Sequence, residues 1–216
     1  MQRATEESKY WDSIAYHKSF SHPFSFEEFG RYVKPIDRVL DYGCGYGRSL
    51  NELDARGYIN LFGVDFSENM ILRGKKEFPK LNLMKNEDTH IPFEDDYFDS
   101  VILFAVLTCI PRSQVQKSLI GEIERVLKPQ GILYISDLLI NNDERNAVRY
   151  NKFKNKYGCY GVFELPEGVI LRHHSEDWIE ELTQLFQRLW YKRFEVTTMN
   201  SNKSSAFQYL GRYSKF

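Results

Sequence analysis

Residues 39–50, VLDYGCGYGRSL, set three glycines at alternate positions directly after a short apolar run that ends in an aspartate. A strand that runs into such a turn hands its carboxyl end to the start of a helix, and open α/β folds bind ligands there. Gly43, Gly45 and Gly47 tolerate backbone angles closed to other residues and let a ligand approach the main chain. The spacing is G-x-G-x-G, whereas the dinucleotide fingerprint is G-x-G-x-x-G, whose third glycine would fall on Arg48. Asp41 stands two positions before the first glycine. A carboxylate so close to the loop repels a pyrophosphate and attracts a ligand with an amine or other positive charge.

Outward from this turn the chain alternates short apolar runs with helical patterns. Strands are expected over 38–43, 60–66, 81–87, 97–107 and 131–139, and helices over 47–57, 67–78 (Ser67 as N-cap) and 113–127. Near-continuous apolar strands alternating with helices predict a parallel sheet covered on both faces, a doubly wound α/β fold. Past Ile140 the alternation stops. Residues 141–174 are polar, aromatic and basic, with a hairpin turning at Pro166-Glu167-Gly168, and are expected to form an inserted substrate lid. A helix over 175–189 follows, with Ser175 as N-cap and Trp178, Ile179, Leu182, Leu185 and Phe186 on one face. Alternating segments at 193–200 and 205–213 then predict an antiparallel hairpin that completes a mostly parallel seven-stranded sheet. Residues 1–35 stand apart as a helical cap on the 36–216 core. An amphipathic helix over 5–20 carries Tyr10 and Ile14, with Trp11 and His17 beside them, before a break at Pro23 and a short helix over 25–33.

Composition narrows the classes. The 216 residues are 42% hydrophobic and 27% charged, which suits one soluble globular domain with an elaboration. With 29 basic against 30 acidic side chains, no overall field draws the chain to nucleic acid or an anionic membrane. Three cysteines, widely spaced and odd in number, suit neither a disulfide framework nor a metal pair, so no metal site is expected and the reducing cytoplasm is the expected home. The N-terminus lacks a signal-peptide core, and no run approaches the ~18 apolar residues of a membrane span.

Two further acids sit at strand ends. Asp65 closes the second strand, 24 residues after Asp41, where a carboxylate can accept both hydroxyls of a ribose. Asp88 follows the third strand, where it can accept from an exocyclic amine of adenine; its neighbour Glu87 offers the same chemistry. The segments VLDYGCGYG, GVDFSENM, NEDTHIPFEDDYFDSVILFAVLTCI and RVLKPQGILYISD together resemble, over roughly residues 38–140, the ordered motifs of class I S-adenosylmethionine-dependent methyltransferases of the small-molecule type 11 group. The resemblance implies that Asp41 and the loop of Gly43, Cys44, Gly45 and Gly47 hold the methionine part of the cofactor. It implies Asp65 for the ribose, Asp88 with Thr89 for the adenine, and Phe104 as the floor of the site. Phe66 either flanks the adenine or packs in the core. In many members an N-terminal helix closes over the cofactor, and here Tyr10 and Trp11 could enclose a sulfonium by cation–π contact or simply pack that helix.

Methyl transfer from a sulfonium is an in-line displacement, accelerated mainly by alignment at near-attack distance. A base is needed only where the acceptor must lose a proton. The candidates are His173, His174, His17, Tyr10 and Tyr160, although the His173-His174 pair could equally shape the entry to the following helix. Cys109, just past the fourth strand, could act as a thiol nucleophile, but a small buried residue explains it more simply. The Asn/Asp-Pro-Pro-Tyr/Phe signature of enzymes that methylate base amines is replaced by FAVL at 104–107. Arg149, Lys152, Lys154 and Lys156 interleave with Tyr150, Phe153, Tyr157 and Tyr160, either to bind an anionic partner or as the solvated edge of the lid. The expected function is transfer of a methyl group from S-adenosylmethionine, leaving S-adenosylhomocysteine, to an N or O nucleophile of a small-molecule acceptor, without nucleic-acid or membrane partners. An RNA or protein acceptor, a nicotinamide-dependent oxidoreductase and a non-catalytic binding module are the alternatives.

Overall fold

The computed structural model describes residues 9–17, 22–198 and 202–214. Helix α1 (9–14) and α2 (Phe26–Gly30) precede β1 (Arg38–Tyr42), α3 (Arg48–Asp54), β2 (Asn60–Asp65), α4 (Glu68–Glu77), β3 (Asn82–Lys85) and β4 (Phe98–Phe104). A 3-10 turn at Leu107–Cys109 leads to α5 (Ser113–Val126), β5 (Leu127–Leu138), α6 (Glu144–Tyr157), β6 (Val162–Glu164), β7 (Ile170–Arg172), α7 (Glu176–Leu182), β8 (Phe186–Thr197) and β9 (Lys203–Tyr213). Seven strands form one sheet in the order β3-β2-β1-β4-β5-β9-β8. β1 to β5 run parallel and β9 is antiparallel to both β5 and β8, as the alternation and the terminal hairpin predict.

Each sheet face is buried by a different set of helices. Leu40, Val101, Leu103 and Leu133 meet Leu119, Ile120 and Ile123 of α5 and Ile179 and Leu182 of α7. On the opposite face Val39, Ile102, Ile132 and Tyr134 pack with Phe29 of α2, Leu50 and Leu53 of α3 and Ile71 of α4. Local signals start these helices where expected: the Ser67 hydroxyl accepts from the Met70 N–H and the Ser175 hydroxyl from the Trp178 N–H, both at 3.2 Å. Order reverses at β1, whose neighbours are β2 and β4, so the carboxyl ends of these three strands flank a crevice.

Residues 141–174 hold the expected hairpin, β6–β7, with Gly168 at φ 85 and the Leu165 and Val169 backbones paired across the turn. They also hold α6, a helix of 14 residues absent from the sequence reading. Asp143 caps its start by accepting from the Asn146 N–H at 3.1 Å, and Gly158 ends it in the left-handed region at φ 64. Tyr150 is buried against Phe163 and His173, the Arg149 guanidinium lies 3.5 Å over the Phe163 ring, and Lys152 and Lys154 face outward. Lys156 and the Tyr157 hydroxyl both reach Glu164, so α6 and the hairpin form one unit.

The helix expected over 175–189 stops at Leu182, because the chain beyond it is claimed by the sheet. Thr183 turns back, its hydroxyl donating to the Ile179 carbonyl at 2.8 Å, and Phe186 then pairs with Tyr213 at the start of a long ladder. Leu185 is left exposed rather than on a helical core face. In the N-terminal segment Trp11, Ile14 and Ala15 pack against Tyr46 and Met70, whereas His17, expected beside them, is exposed. Among the described residues no helix is long and apolar enough to cross a membrane.

Candidate functional site

The glycine loop folds as its sequence requires. Gly43, Gly45 and Gly47 take φ of 75, 55 and 85, the left-handed region that disfavours side chains, and a Cβ at Gly43 would stand 2.6 Å from Val106 Cγ2. The N–H groups of Gly43 and Cys44 donate to the Val64 carbonyl at 2.8 and 3.0 Å, tying the loop to the end of β2. Asp65 secures it further. One carboxylate oxygen accepts from the Gly45 N–H and the other from the Ser67 N–H, each at 2.8 Å, so this side chain joins the loop to the start of α4. Burial moves its pKa up to about 6 against the pull of these bonds.

Asp41 lies beneath the loop, 1% exposed, and its Oδ1 has no hydrogen-bond partner among the described residues. Burial raises its carboxyl to about 8, opposed by Arg48 and reinforced by Asp65. Arg48, the residue that breaks the dinucleotide spacing, opens α3. Its Nη1 meets Glu52 at 2.8 Å, its Nη2 donates to the His22 carbonyl at 3.0 Å, and its guanidinium sits 5.2 Å above the Phe104 ring. The Nε of Arg48 is buried without a partner among the described residues. One oxygen of an acid and one nitrogen of a base, each without a partner among the described residues, therefore flank the loop. Buried polar atoms are almost always bonded, so such a pair marks a place for a polar ligand.

Phe104 ends β4 and is followed by Ala105 at φ 57, a left-handed non-glycine residue held by donation from its N–H to the Ser136 carbonyl at 2.8 Å. The Phe104 ring stacks on Phe24 at 6.0 Å and on Tyr134 at 6.4 Å, with His22 edge-on at 5.8 Å. Cys44 is 7% exposed, with burial raising its thiol pKa. Phe66 is half-buried beside Asp65, whereas Asp88 and Thr89 lie exposed in the loop after β3, where the Asn86 amide donates to the carbonyls of Asp88 and His90 at 2.9 and 3.0 Å.

α1 docks beside this loop through Asp12, whose Oδ1 accepts from the Ser67 hydroxyl at 2.6 Å and the Asn69 N–H at 3.1 Å. Arg73 spans the same joint, donating to the Ala15 carbonyl at 2.7 Å and lying 3.7 Å over the Tyr46 ring. Trp11 packs edge-on against Tyr10 at 5.4 Å. Burial raises the Tyr10 phenol pKa, with the charges of Glu167 in the hairpin turn and Cys109 after β4 adding to it.

His173 and His174 lie elsewhere. Both are buried, at 3% and 1% exposure, and burial drives both pKa values down, that of His174 to about 3. The His173 Nδ1 meets the Tyr150 hydroxyl at 2.6 Å, and the His174 Nε2 meets the Gln116 amide at 2.9 Å, whose oxygen accepts from the Trp178 indole at 2.6 Å. The structure ties one to α6 and the other to α5 and α7. Tyr160, also a candidate base, lies 43% exposed against Tyr150. Sequence reasoning missed His22, Arg48 and Ser136. The only local signal for Arg48 was its place in the loop, and for the other two there was none.

A family model described as a methyltransferase domain matches residues 40–135. The chain is 29% identical over 184 residues to the sterol 24-C-methyltransferase of Schizosaccharomyces pombe, covering 82% of this chain and 47% of that one. It is 33% identical over 141 residues to a ubiquinone/menaquinone C-methyltransferase of Geotalea daltonii, covering 61% and 55%. The chain thus spans about half the length of these curated relatives. A crystal structure of an S-adenosylmethionine-dependent methyltransferase from Methanosarcina mazei superposes with a TM-score of 0.82 at 24% identity, over 92% of this chain and 100% of that one.

Proposed function

The chain belongs to the class I S-adenosylmethionine-dependent methyltransferases, and from that premise we propose that it transfers a methyl group to an N or O nucleophile of a small-molecule acceptor. One observation carries the cofactor assignment. Asp41 Oδ1 and Arg48 Nε, one on an acid and one on a base, are buried and without a partner among the described residues, beside Gly43, where a Cβ would clash with Val106. An amino-acid end, with its ammonium and carboxylate, satisfies both. Asp41 would take the ammonium and Arg48 the carboxylate, the Asp65 oxygens keeping lone pairs for ribose hydroxyls while they anchor Gly45 and Ser67. Phe66, Asp88 and Thr89 would border the adenine and Phe104 the floor.

When bound, the cofactor supplies an electrophilic methyl on sulfur. The chain's own contribution is alignment and exclusion of water. α1, with Tyr10 and Trp11, covers the loop, and the α6–hairpin unit would roof the acceptor. The packed environments of His173 and His174 support lid-holding roles for both, which leaves any base to other groups.

Similarity to the fission-yeast sterol and Geotalea ubiquinone/menaquinone C-methyltransferases favours a second reading, transfer to an activated carbon. Calorimetry with S-adenosylmethionine, S-adenosylhomocysteine and NAD tests the cofactor: micromolar binding of the first two is expected, and NAD binding alone would overturn it. A labelled-methyl screen of metabolite pools and RNA, with mass spectrometry of the products, then separates small from macromolecular acceptors and locates the new bond.

A further inference from the structure

We propose that His22 is an acceptor-positioning residue, and that the acceptor it selects is a flat, largely apolar ring bearing a neutral hydroxyl. The inference rests on the cofactor assignment above, which commits Asp41 and Arg48 to the methionine end and leaves the neighbouring polar atoms unused. His22 belongs to the strap that joins the N-terminal helices. Its backbone is held from below by Arg48, and Gln208 anchors the next residues, its Nε2 donating to the Pro23 carbonyl and its Oε1 accepting from the Ser25 hydroxyl, both at 2.6 Å. The ring of His22 is therefore placed by three elements, α3, β9 and the strap itself.

Its surroundings are aromatic. Phe104 presents its ring at 5.8 Å and Phe194 of β8 at 6.2 Å, both nearly perpendicular to the imidazole. The Nε2 of His22 is buried and has no partner among the described residues. Ser136 is in register with Phe104 on one side and with Gln208 on the other, so its side chain lies on the same sheet face as Phe104, under the strap. Its Oγ is likewise buried without a partner. Strap and sheet thus each offer one polar atom without a partner among the described residues, in a setting whose apolar walls are Phe24, Phe104, Phe194 and Tyr134.

Burial, with Arg48 adding to it, lowers the His22 pKa to about 4, so the imidazole is neutral near pH 7 and provides no charge to pair with an ionised acceptor. A neutral imidazole nitrogen and a serine hydroxyl suit a hydroxyl, which both donates and accepts. The aromatic walls suit a planar ring, whose edges and faces they can meet in stacked or perpendicular contact. Phe104 also borders the proposed cofactor site, so an acceptor held by His22 would lie next to the methyl.

The test uses the full chain saturated with S-adenosylhomocysteine, and two probes, 2-naphthol and naphthalene, followed by fluorescence titration. The wild type is expected to bind 2-naphthol about tenfold more tightly than naphthalene, the scale of one well-made buried hydrogen bond. His22→Phe should erase that preference while keeping naphthalene affinity, and His22→Gln, which retains a polar atom at the same reach, should keep part of it. Thermal melts of both variants confirm the fold. Absence of 2-naphthol binding to the loaded wild type, or an undiminished preference in His22→Phe, overturns the proposal. Failure of the protein to bind S-adenosylhomocysteine at all, read first by calorimetry, would instead overturn the cofactor assignment.

Discussion

Two glycines in helix interiors should respond to the same substitution with opposite signs. Alanine is preferred over glycine in a helix by about 1 kcal/mol, so on propensity alone Gly74→Ala in α4 and Gly121→Ala in α5 both stabilise. Their surroundings differ. Nothing lies within 4 Å of a Cβ built on Gly121, whereas one on Gly74 would stand 2.5 Å from Leu83 Cδ1 and 2.7 Å from the Tyr46 carbonyl oxygen. The leucine tip can rotate away. The Tyr46 carbonyl cannot, because its loop is fixed by Gly45 donating to Asp65 at 2.8 Å and Gly47 donating to Cys44 at 2.9 Å. α4 must therefore shift, and overpacking of this kind costs ~1–3 kcal/mol. With a cost at the upper end of that range, Gly74→Ala should lose about 1–2 kcal/mol net and Gly121→Ala should gain about 0.5–1 kcal/mol. Urea unfolding of the three proteins measures the difference. Because Tyr46 belongs to the glycine loop, Gly74→Ala should also bind S-adenosylmethionine more weakly, and Gly121→Ala should not. If both variants are stabilised, close packing of α4 on the loop is not what demands a glycine at 74.

Proton linkage gives a second prediction. Asp41, Asp65 and Asp137 are raised by burial to about 8, 6 and 7. A folded-state pKa above the unfolded value means that the native protein holds more protons, so the stability from these groups is full below about pH 4 and lost as pH rises through the folded values. Between pH 6 and 7 Asp41 alone accounts for about 1.4 kcal/mol. Asp41→Asn should flatten the fall of the urea midpoint over that interval, and an unchanged slope refutes the assignment. Tyr150→Phe removes the hydroxyl at 2.6 Å from the buried His173 Nδ1 and the acceptor of the Asn141 N–H, leaving Nδ1 the longer contact with the Asn141 amide at 3.3 Å, which should cost ~1–3 kcal/mol and speed amide exchange in α6 and β6–β7; an equally stable variant contradicts the packing role. Asp12→Ala removes the acceptor for the Ser67 hydroxyl and the Asn69 N–H. Limited proteolysis within residues 9–17 should accelerate severalfold with little change in global unfolding, and unchanged cleavage would show that other contacts hold α1.

The sequence by itself determined what rests on local chemistry. Strand and helix alternation, the caps Ser67 and Ser175, the hairpin turn at Gly168 and the glycine loop after Asp41 are each written within a few neighbouring residues. They specified the sheet and the crevice at the carboxyl ends of its strands. α6 was legible in principle, through Asp143 before it, Gly158 after it, and Tyr150, Phe153 and Tyr157 on one side, but its polar average hid that pattern. The end of α7 was not legible. Residues 183–189 keep a helical spacing of apolar side chains, and only hydrogen bonding to β9, across more than twenty residues of chain, made most of them a strand. The same limit separated the histidines. The His173-His174 pair is conspicuous in sequence yet buried against Tyr150 of α6 and Gln116 of α5, while His22, with no motif around it, is brought to Phe104 and Phe194 by contacts with Arg48 and Gln208 from distant parts of the chain. Which side chains converge at the strand tips was decided by tertiary packing, because convergence is a property of the folded sheet and not of spacing along the chain.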